Sequence, residues 1–399
     1  MNIGVSTSVI QRGKTGVAQY VFSLVKALSR YSTDHQFILF VLEEDLPLFA
    51  FAEPFAKIIP VSENFRPPLK NILWHQTQLP ALVKKHRIDV LHVPSYRRLL
   101  WRKPCALVST IHDLAPFHVA NKYDWKRMLY GRVIVKHLAR RQDEIIAISE
   151  NTAADIGRFF GTPREKISVV YNGLEHERFF PDSQTTAKKR FANQHGINAP
   201  FFLYLARLEH PAKNHVRLIE AFDQFKAATK SNWHLVFGGS DWNGAEMIHE
   251  KAARSPFSKD IHSLGFVATE DLPRLYRAAD VFVYPSLYEG FGLPPIEAMA
   301  CGCPVISSAR GSLGEVVGKA AAIIDPEKIN DMKVQLEILA SDQERRDTLR
   351  VAGFHRARFF NWGKTAEETF KVYTRAYQNW QSSSSRQVPI SIPATAAKS

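Results

Sequence analysis

Residues 284–305, YPSLYEGFGLPPIEAMACGCPV, hold the pattern around which the rest of the chain is organised. Two carboxylates, Glu289 and Glu297, stand with seven residues between them, around the compact turn Gly290-Phe291-Gly292. Ahead of the turn, residues 279–284 (ADVFVY) form an apolar run of strand length. Behind it, residues 294–300 (PPIEAMA) open with prolines, which the first turn of a helix tolerates and its interior does not. The pattern predicts strand, glycine turn, helix. In an open α/β sheet, ligands lie at the carboxyl ends of the strands, where the amides of a helix N-terminus face the crevice. Glu289 is then expected on the turn, facing inward. Glu297 is expected in the first helical turn, where the macrodipole favours an anion and a carboxylate can accept hydrogen bonds from vicinal hydroxyls such as those of sugar rings. A turn cap and a first-turn surface carboxylate would account for either Glu alone.

The same rhythm extends in both directions. Residues 2–5 read as a buried strand, Gly13-Lys14-Thr15-Gly16 as a loop and residues 17–28 as an amphipathic helix. A P-loop is excluded, because its first glycine would fall at position 8, which is Ser8. Gly16 either lets the backbone approach a phosphate at the helix N-terminus or makes an ordinary turn. Further strands are expected at residues 37–42, 89–94, 106–111, 144–149 and 167–171, with helices at 71–86 and 151–160. His112-Asp113 follows the 106–111 strand directly, a position that faces the crevice. In the second half, strands are expected at 201–206, 233–238, 261–264, 305–308 and 320–325, and helices at 215–229, 331–340, 342–360 and 362–380. Arg207 and Lys213 lie in the loop before the 215–229 helix, where two cations suit a diphosphate, solvated surface cations being the plainer alternative.

At 399 residues, with 45% apolar and 23% charged residues, the chain is globular and too long for one ordinary core. Its net charge of +13 is uneven: residues 1–180 hold 25 Lys and Arg against 16 Asp and Glu, the remainder 27 against 23. A basic surface attracts nucleic acid, anionic lipid or phosphorylated substrates, but no nucleic-acid-binding signature is present. Arg97, Arg98, Trp101, Arg102 and Lys103 fall in one loop, and Lys126, Arg127, Arg132, Lys136, Arg140 and Arg141 stud a helical segment. These are a solvated face or a contact for an anionic membrane or lipid-pyrophosphate acceptor, with Trp101 at the interface. Three cysteines without C-x-x-C or zinc spacing suggest neither disulfides nor a metal, and fit a reducing compartment. No signal-like segment opens the chain and no apolar run approaches the ~20 residues of a span, so a cytoplasmic protein is expected, at most on a membrane surface. Residues 381–399 are polar and breaker-rich, and a disordered tail is expected there.

The block EGFGLPPIEAMACGCPV resembles the E-x7-E signature of the retaining GT-B glycosyltransferases of family 4, and VVYNGLEHERFFP is similar to that family's interdomain linker. The resemblance implies an α/β fold of two Rossmann-like domains facing a cleft, with a C-terminal helix crossing back to the first. On this reading residues 1–182 bind the acceptor, 183–361 bind the nucleotide sugar, and 362–380 cross over. It also implies roles: Glu289 lies by the donor sugar, Gly290, Phe291, Gly292 and Leu293 offer backbone amides to sugar and phosphate, and Glu297 holds the ribose. His112, within HDLAPF, sits beside the donor sugar, while Arg207 and Lys213 stabilise the departing pyrophosphate. Gly16 and Gly239 lie by the donor, and Phe266 and Val267 against its base. One departure is Asn214-His215 after Lys213, where many relatives have glycine. The implied reaction moves a sugar, from GDP-mannose or a UDP-sugar, to a hydroxyl of a glycan or polyprenyl-linked acceptor in surface polysaccharide assembly, with retention. Neither metal nor cofactor is expected: no Asp-x-Asp motif is present, and two cations can neutralise the leaving group. A nucleotide-sugar 2-epimerase, a pyridoxal-dependent phosphorolytic enzyme and a non-catalytic interaction protein of this fold are the alternatives.

Overall fold

The computed structural model of the chain describes residues 1–13, 15–118 and 131–385, without the side chains of Arg132, Ser384 and Ser385. Seven parallel strands build the first sheet: β1 (Asn2–Ser6), β2 (Gln36–Leu42), β3 (Ala56–Val61), β4 (Val90–Val93), β5 (Ala106–Ile111), β6 (Glu144–Ala147) and β7 (Ile167–Val169), in the order β3-β2-β1-β4-β5-β6-β7. Six more build the second: β8 (Phe201–Leu205), β9 (His234–Gly238), β10 (Ile261–Ser263), β11 (Val281–Tyr284), β12 (Val305–Ser308) and β13 (Ala322–Ile324), in the order β10-β9-β8-β11-β12-β13. Both are doubly wound sheets, and their central strands are buried along their length because helices cover both faces.

The apolar runs read from the sequence fall on these strands. β3 has no counterpart among the expected strands. It is an edge strand, half-exposed, and Pro60 sits opposite Val41, a position open to proline because an edge strand need not donate on its outer side. The polar stretch after Pro181 is also more than a connection: it forms the Gln184–His195 helix, capped by Ser183 and anchored by the one buried side chain Phe191, which stacks on Phe201. That helix packs on the Leu272–Ala278 helix that leads into β11.

The last helix, Trp362–Ser385, returns from the second sheet to pack on the first. Phe370 stacks on Tyr31 at 4.2 Å, the Tyr373 hydroxyl bonds His92 Nδ1 at 2.8 Å, and Arg375 grips the Glu144 carboxylate in bidentate fashion at 2.6 and 2.7 Å. It runs five residues beyond Trp380, so the first part of the expected tail is helical. Residues 386–399 lie outside the described residues, as do Lys126 and Arg127 of the expected basic helix. Among the described residues no helix is long and apolar enough to cross a membrane.

The two sheets also meet directly. The Glu315 carboxylate accepts the backbone N–H groups of Glu150 and Asn151, both at 2.9 Å, and the Tyr171 hydroxyl at 3.0 Å. The Tyr288 hydroxyl donates to Asp155 at 2.6 Å, while the His118 ring stacks on Tyr288 and bonds the same carboxylate oxygen. These contacts bring the carboxyl ends of the two sheets against one another.

Candidate active site

β11 lies centrally in its sheet, between β8 and β12, and the turn after it carries Glu289. Two glycines let the turn sit where it does. At Gly290 a Cβ would stand 2.1 Å from the His112 carbonyl oxygen, so only glycine lets the turn close on the end of β5. Gly292 has φ +95° and starts the Leu293–Ala300 helix, with Pro294 and Pro295 in its first turn. The expected strand, turn and helix are all present and the turn joins the two domains, but Glu297 is the fifth residue of the helix, beyond the first turn in which it was expected, because the helix already starts at Leu293.

Glu289 is largely buried, its side chain 15% exposed, and its Oε1 accepts hydrogen bonds from Lys213 Nζ at 2.5 Å, Ser286 Oγ at 2.7 Å and Tyr284 Oη at 3.0 Å. Burial pushes the carboxyl up, but the Lys213 charge and the hydrogen bonds from Lys213, Ser286 and Tyr284 outweigh it and hold the pKa below the ordinary carboxylate value. Lys213 arrives on the loop after β8, which Asn214 fixes: it adopts φ +62° and donates to the carbonyls of Pro285 and Pro326 at 3.1 and 2.7 Å. Asparagine tolerates this left-handed conformation better than most side chains, which fits it to a position where the backbone would otherwise favour glycine. It ties the lysine loop to the glutamate turn.

Arg207, on the same loop, is not part of this cluster. It is half-exposed, bonds Glu209 at 3.1 Å, and lays its guanidinium over the Trp242 ring at 4.8 Å. His112 is half-buried against the edge of Tyr20, and its Nε2, which is itself buried, has no hydrogen-bond partner among the described residues. Burial pushes its pKa down to about 4 despite the opposing pull of Asp113, so the imidazole is neutral at pH 7. A neutral ring with a free nitrogen can donate to or accept from a hydroxyl.

Glu297 occupies a different environment from Glu289. Its side chain is half-buried and accepts the Tyr276 hydroxyl at 2.8 Å, and desolvation lifts its pKa to about 7 against the pull of that bond and of Arg178. The other candidates divide by what they offer. The Phe291 side chain is buried against Tyr171 and Phe360, so only its backbone is available to a ligand. Gly239 has room for no side chain, since a Cβ would lie 1.9 Å from the Ala206 carbonyl, but its N–H is already donated to Gly265 at 2.7 Å. Leu293 is half-buried at the start of its helix. Gly16 opens the Gly16–Leu28 helix, with Thr15 as cap and open space where its Cβ would be. Phe266 is 77% exposed and, with Val267, borders a cavity of about 170 Å³ against the Gln184–His195 helix.

Sequence reasoning missed the partners that hold these groups. Ser286 and Tyr284 lie within the stretch that decided the fold, and their spacing from Glu289 was the available signal. Tyr276, Trp242, Asp155 and His118 reach the site only through the tertiary structure.

Residues 14–178 match the family described as Glycosyltransferase Family 4, and residues 185–356 match Glycosyl transferases group 1. The O-antigen chain mannosyltransferase B of Escherichia coli is 26% identical over 391 residues, covering 94% of this chain and 99% of that one. A D-inositol 3-phosphate glycosyltransferase of Streptomyces bingchenggensis is 31% identical over 319 residues, 77% of this chain and 69% of that one. Among solved structures, Anabaena HepE in complex with UDP-glucose superposes with a TM-score of 0.72 at 18% identity, covering 96% of this chain and all of that one, a likeness of fold. With two doubly wound domains meeting at a glutamate turn, this chain belongs to the family 4 glycosyltransferases of the GT-B fold, and it is a glycosyltransferase.

Proposed function

We propose that this glycosyltransferase moves mannose from GDP-mannose, with a UDP-sugar as the second choice of donor, to a hydroxyl of a glycan or polyprenyl-linked acceptor in surface polysaccharide assembly. The observation that carries the reading is the buried Lys213–Glu289 pair beside the contact of Gly290 with His112, where the two domains meet. The E. coli relative, a mannosyltransferase of the O-antigen chain, favours mannose and a surface polysaccharide.

In this reading Glu289 orients hydroxyls of the donor sugar, Lys213 and Arg207 take up charge on the departing pyrophosphate, and Glu297 accepts the ribose hydroxyls. Neutral His112 presents its free Nε2 to a sugar hydroxyl. Two cations beside helix N-termini stabilise a leaving diphosphate, so the reading calls for no resident metal or cofactor. Glu289 is tied up by three donors and is a poor nucleophile, which favours front-face attack by the acceptor with retention. Residues 1–182 carry the acceptor and 183–361 the donor, and the protein works on the cytoplasmic face of a membrane that the Arg97–Lys103 loop contacts.

The test is a melting-temperature screen against GDP-mannose, UDP-sugars, ADP-sugars and dTDP-sugars, followed by NMR of the anomeric proton of the product. GDP-mannose should raise the melting temperature, the shift should vanish in Arg207→Ala, and the product should keep the donor's anomeric configuration. A shift with another nucleotide alone, or an inverted product, would sink the corresponding part.

A further inference from the structure

We infer that the first domain carries a lipid-facing surface that inserts apolar side chains from three elements into an anionic bilayer, rather than holding the bilayer by charge alone. This rests on the membrane contact proposed for the Arg97–Lys103 loop and changes which residues make it. Three of that loop's cations are engaged with the protein. Lys103 bonds Asp143 at 2.6 Å and lies over the Trp380 ring, Arg98 bonds Asn71 at 2.5 Å, and Arg97 bonds the Tyr96 hydroxyl at 3.2 Å. Trp101 and Arg102 are the two that are exposed.

Around Trp101 the surface is apolar. On the Pro68–Lys85 helix, Leu69 is 82% exposed and Leu73 58%, one turn apart on one face. The next residue along that face, Gln76, accepts the Trp101 N–H at 2.7 Å and donates to the Leu99 carbonyl at 2.9 Å, joining helix to loop. Trp101, 54% exposed, packs its ring on His137 at 5.5 Å. One turn before His137, Val133 and Ile134 are 58% and 41% exposed. Five large exposed apolar side chains therefore lie on three elements that Gln76 and His137 join, with Lys70 and Arg102 exposed among them.

Lone exposed apolar residues are ordinary, but five of them on joined elements, bordered by cations, have the chemistry of an interfacial surface. The positive charge concentrated in the first half of the chain makes an anionic lipid surface the complementary partner. The patch also has a useful place in the fold. The Pro68–Lys85 helix starts at the carboxyl end of β3, the end of the sheet at which His112 follows β5, so Leu69 stands on the cleft side of the domain. A lipid-linked acceptor in that bilayer would be presented beside the cleft.

The test is sedimentation of the full chain with phosphatidylcholine vesicles, with and without phosphatidylglycerol, at low and high salt. The variants are Leu69→Ser/Leu73→Ser, Trp101→Ala, Lys70→Ala/Arg102→Ala, and Val351→Ser as an equally exposed apolar control on the second domain. Melting temperatures check folding. We expect binding to phosphatidylglycerol vesicles, a fall of about tenfold in the partition coefficient for each apolar variant at both salt levels, and a fall for Lys70→Ala/Arg102→Ala that is largest at low salt. Val351→Ser should bind like the parent. Binding lost only with the cations would overturn the apolar insertion and leave the electrostatic contact standing. No binding by the parent would overturn both. A parent that self-associates through the patch, with the leucine variant monomeric and vesicle binding unaltered, would make the surface a protein interface and overturn the inference. None of these readouts uses a donor, so they stand apart from the proposed transfer of mannose.

Discussion

Replacing Lys213 with methionine isolates the charge at the centre of the site. Methionine nearly preserves the volume, so the change removes an ammonium 2.5 Å from a carboxylate in a place where both side chains are about five-sixths buried. Removing one partner of such a pair leaves the other charge buried and uncompensated, a loss of about 3–5 kcal/mol. The Ser286 and Tyr284 hydroxyls still donate to Glu289, which puts the expectation at the lower end, about 3 kcal/mol at pH 7. The pH dependence has a definite sign. In the parent, the Glu289 pKa is held below its ordinary value, so the contribution of the pair is present above the unfolded pKa and lost as pH falls through the folded one. In Lys213→Met, burial is unopposed by charge and the folded pKa rises above the unfolded one. The penalty is then full above that raised pKa and fades as pH falls through it. Urea unfolding of both proteins at neutral and mildly acidic pH should show a gap that narrows on acidification, and turnover should fall by about two to three orders of magnitude. The double variant Lys213→Met/Glu289→Gln should recover most of the stability and none of the activity. A single variant as stable as the parent at both pH values would refute the argument that Glu289 is buried as an anion held by Lys213.

Gly290→Ala should abolish turnover and lower the melting temperature by several degrees, because its Cβ would collide with the His112 carbonyl; parent-like kinetics would show that the turn need not close on β5. Asn214→Ala should cost about 1–2 kcal/mol more than Asn214→Gly in urea unfolding, since glycine keeps the left-handed backbone and alanine does not, and equal losses would assign the effect to the two side-chain hydrogen bonds alone. With its pKa raised to about 7, Glu297 should bind donor best as the carboxylate, so the donor KM should rise as pH falls through that value and the rise should disappear in Glu297→Gln; an unchanged pH profile in the variant would remove Glu297 from the donor site.

Much of the fold was legible because strands and helices are local patterns. Apolar runs of four to seven residues gave most of the strands, and the glycine and proline positions around residues 290–295 gave the turn and helix that carry both glutamates. The misses also have local causes. β3 is an edge strand with mixed polarity and a proline, and the Gln184–His195 helix buries only Phe191, so neither has a clear apolar period. The departure at Asn214 became intelligible once its backbone angle and its two carbonyl partners were in view.

The class of fold, the family and the residues that end strands at the cleft are legible in the chain's order of residues, because strand ends and glycine turns are written within a few neighbouring positions. What those residues do to one another is set by folding. Lys213 and Glu289 lie 76 positions apart, and nothing in either segment specifies that the charges meet. Two carboxylates eight positions apart looked alike in sequence; one is held ionised by Lys213, and the other is lifted toward neutrality by burial beside Tyr276. Lys103 and Arg102 are adjacent and equally basic, yet Asp143 takes the first and leaves the second exposed. The physical reason is common to all three: charge state and availability depend on burial and on partners distant in the chain, which local sequence patterns do not encode.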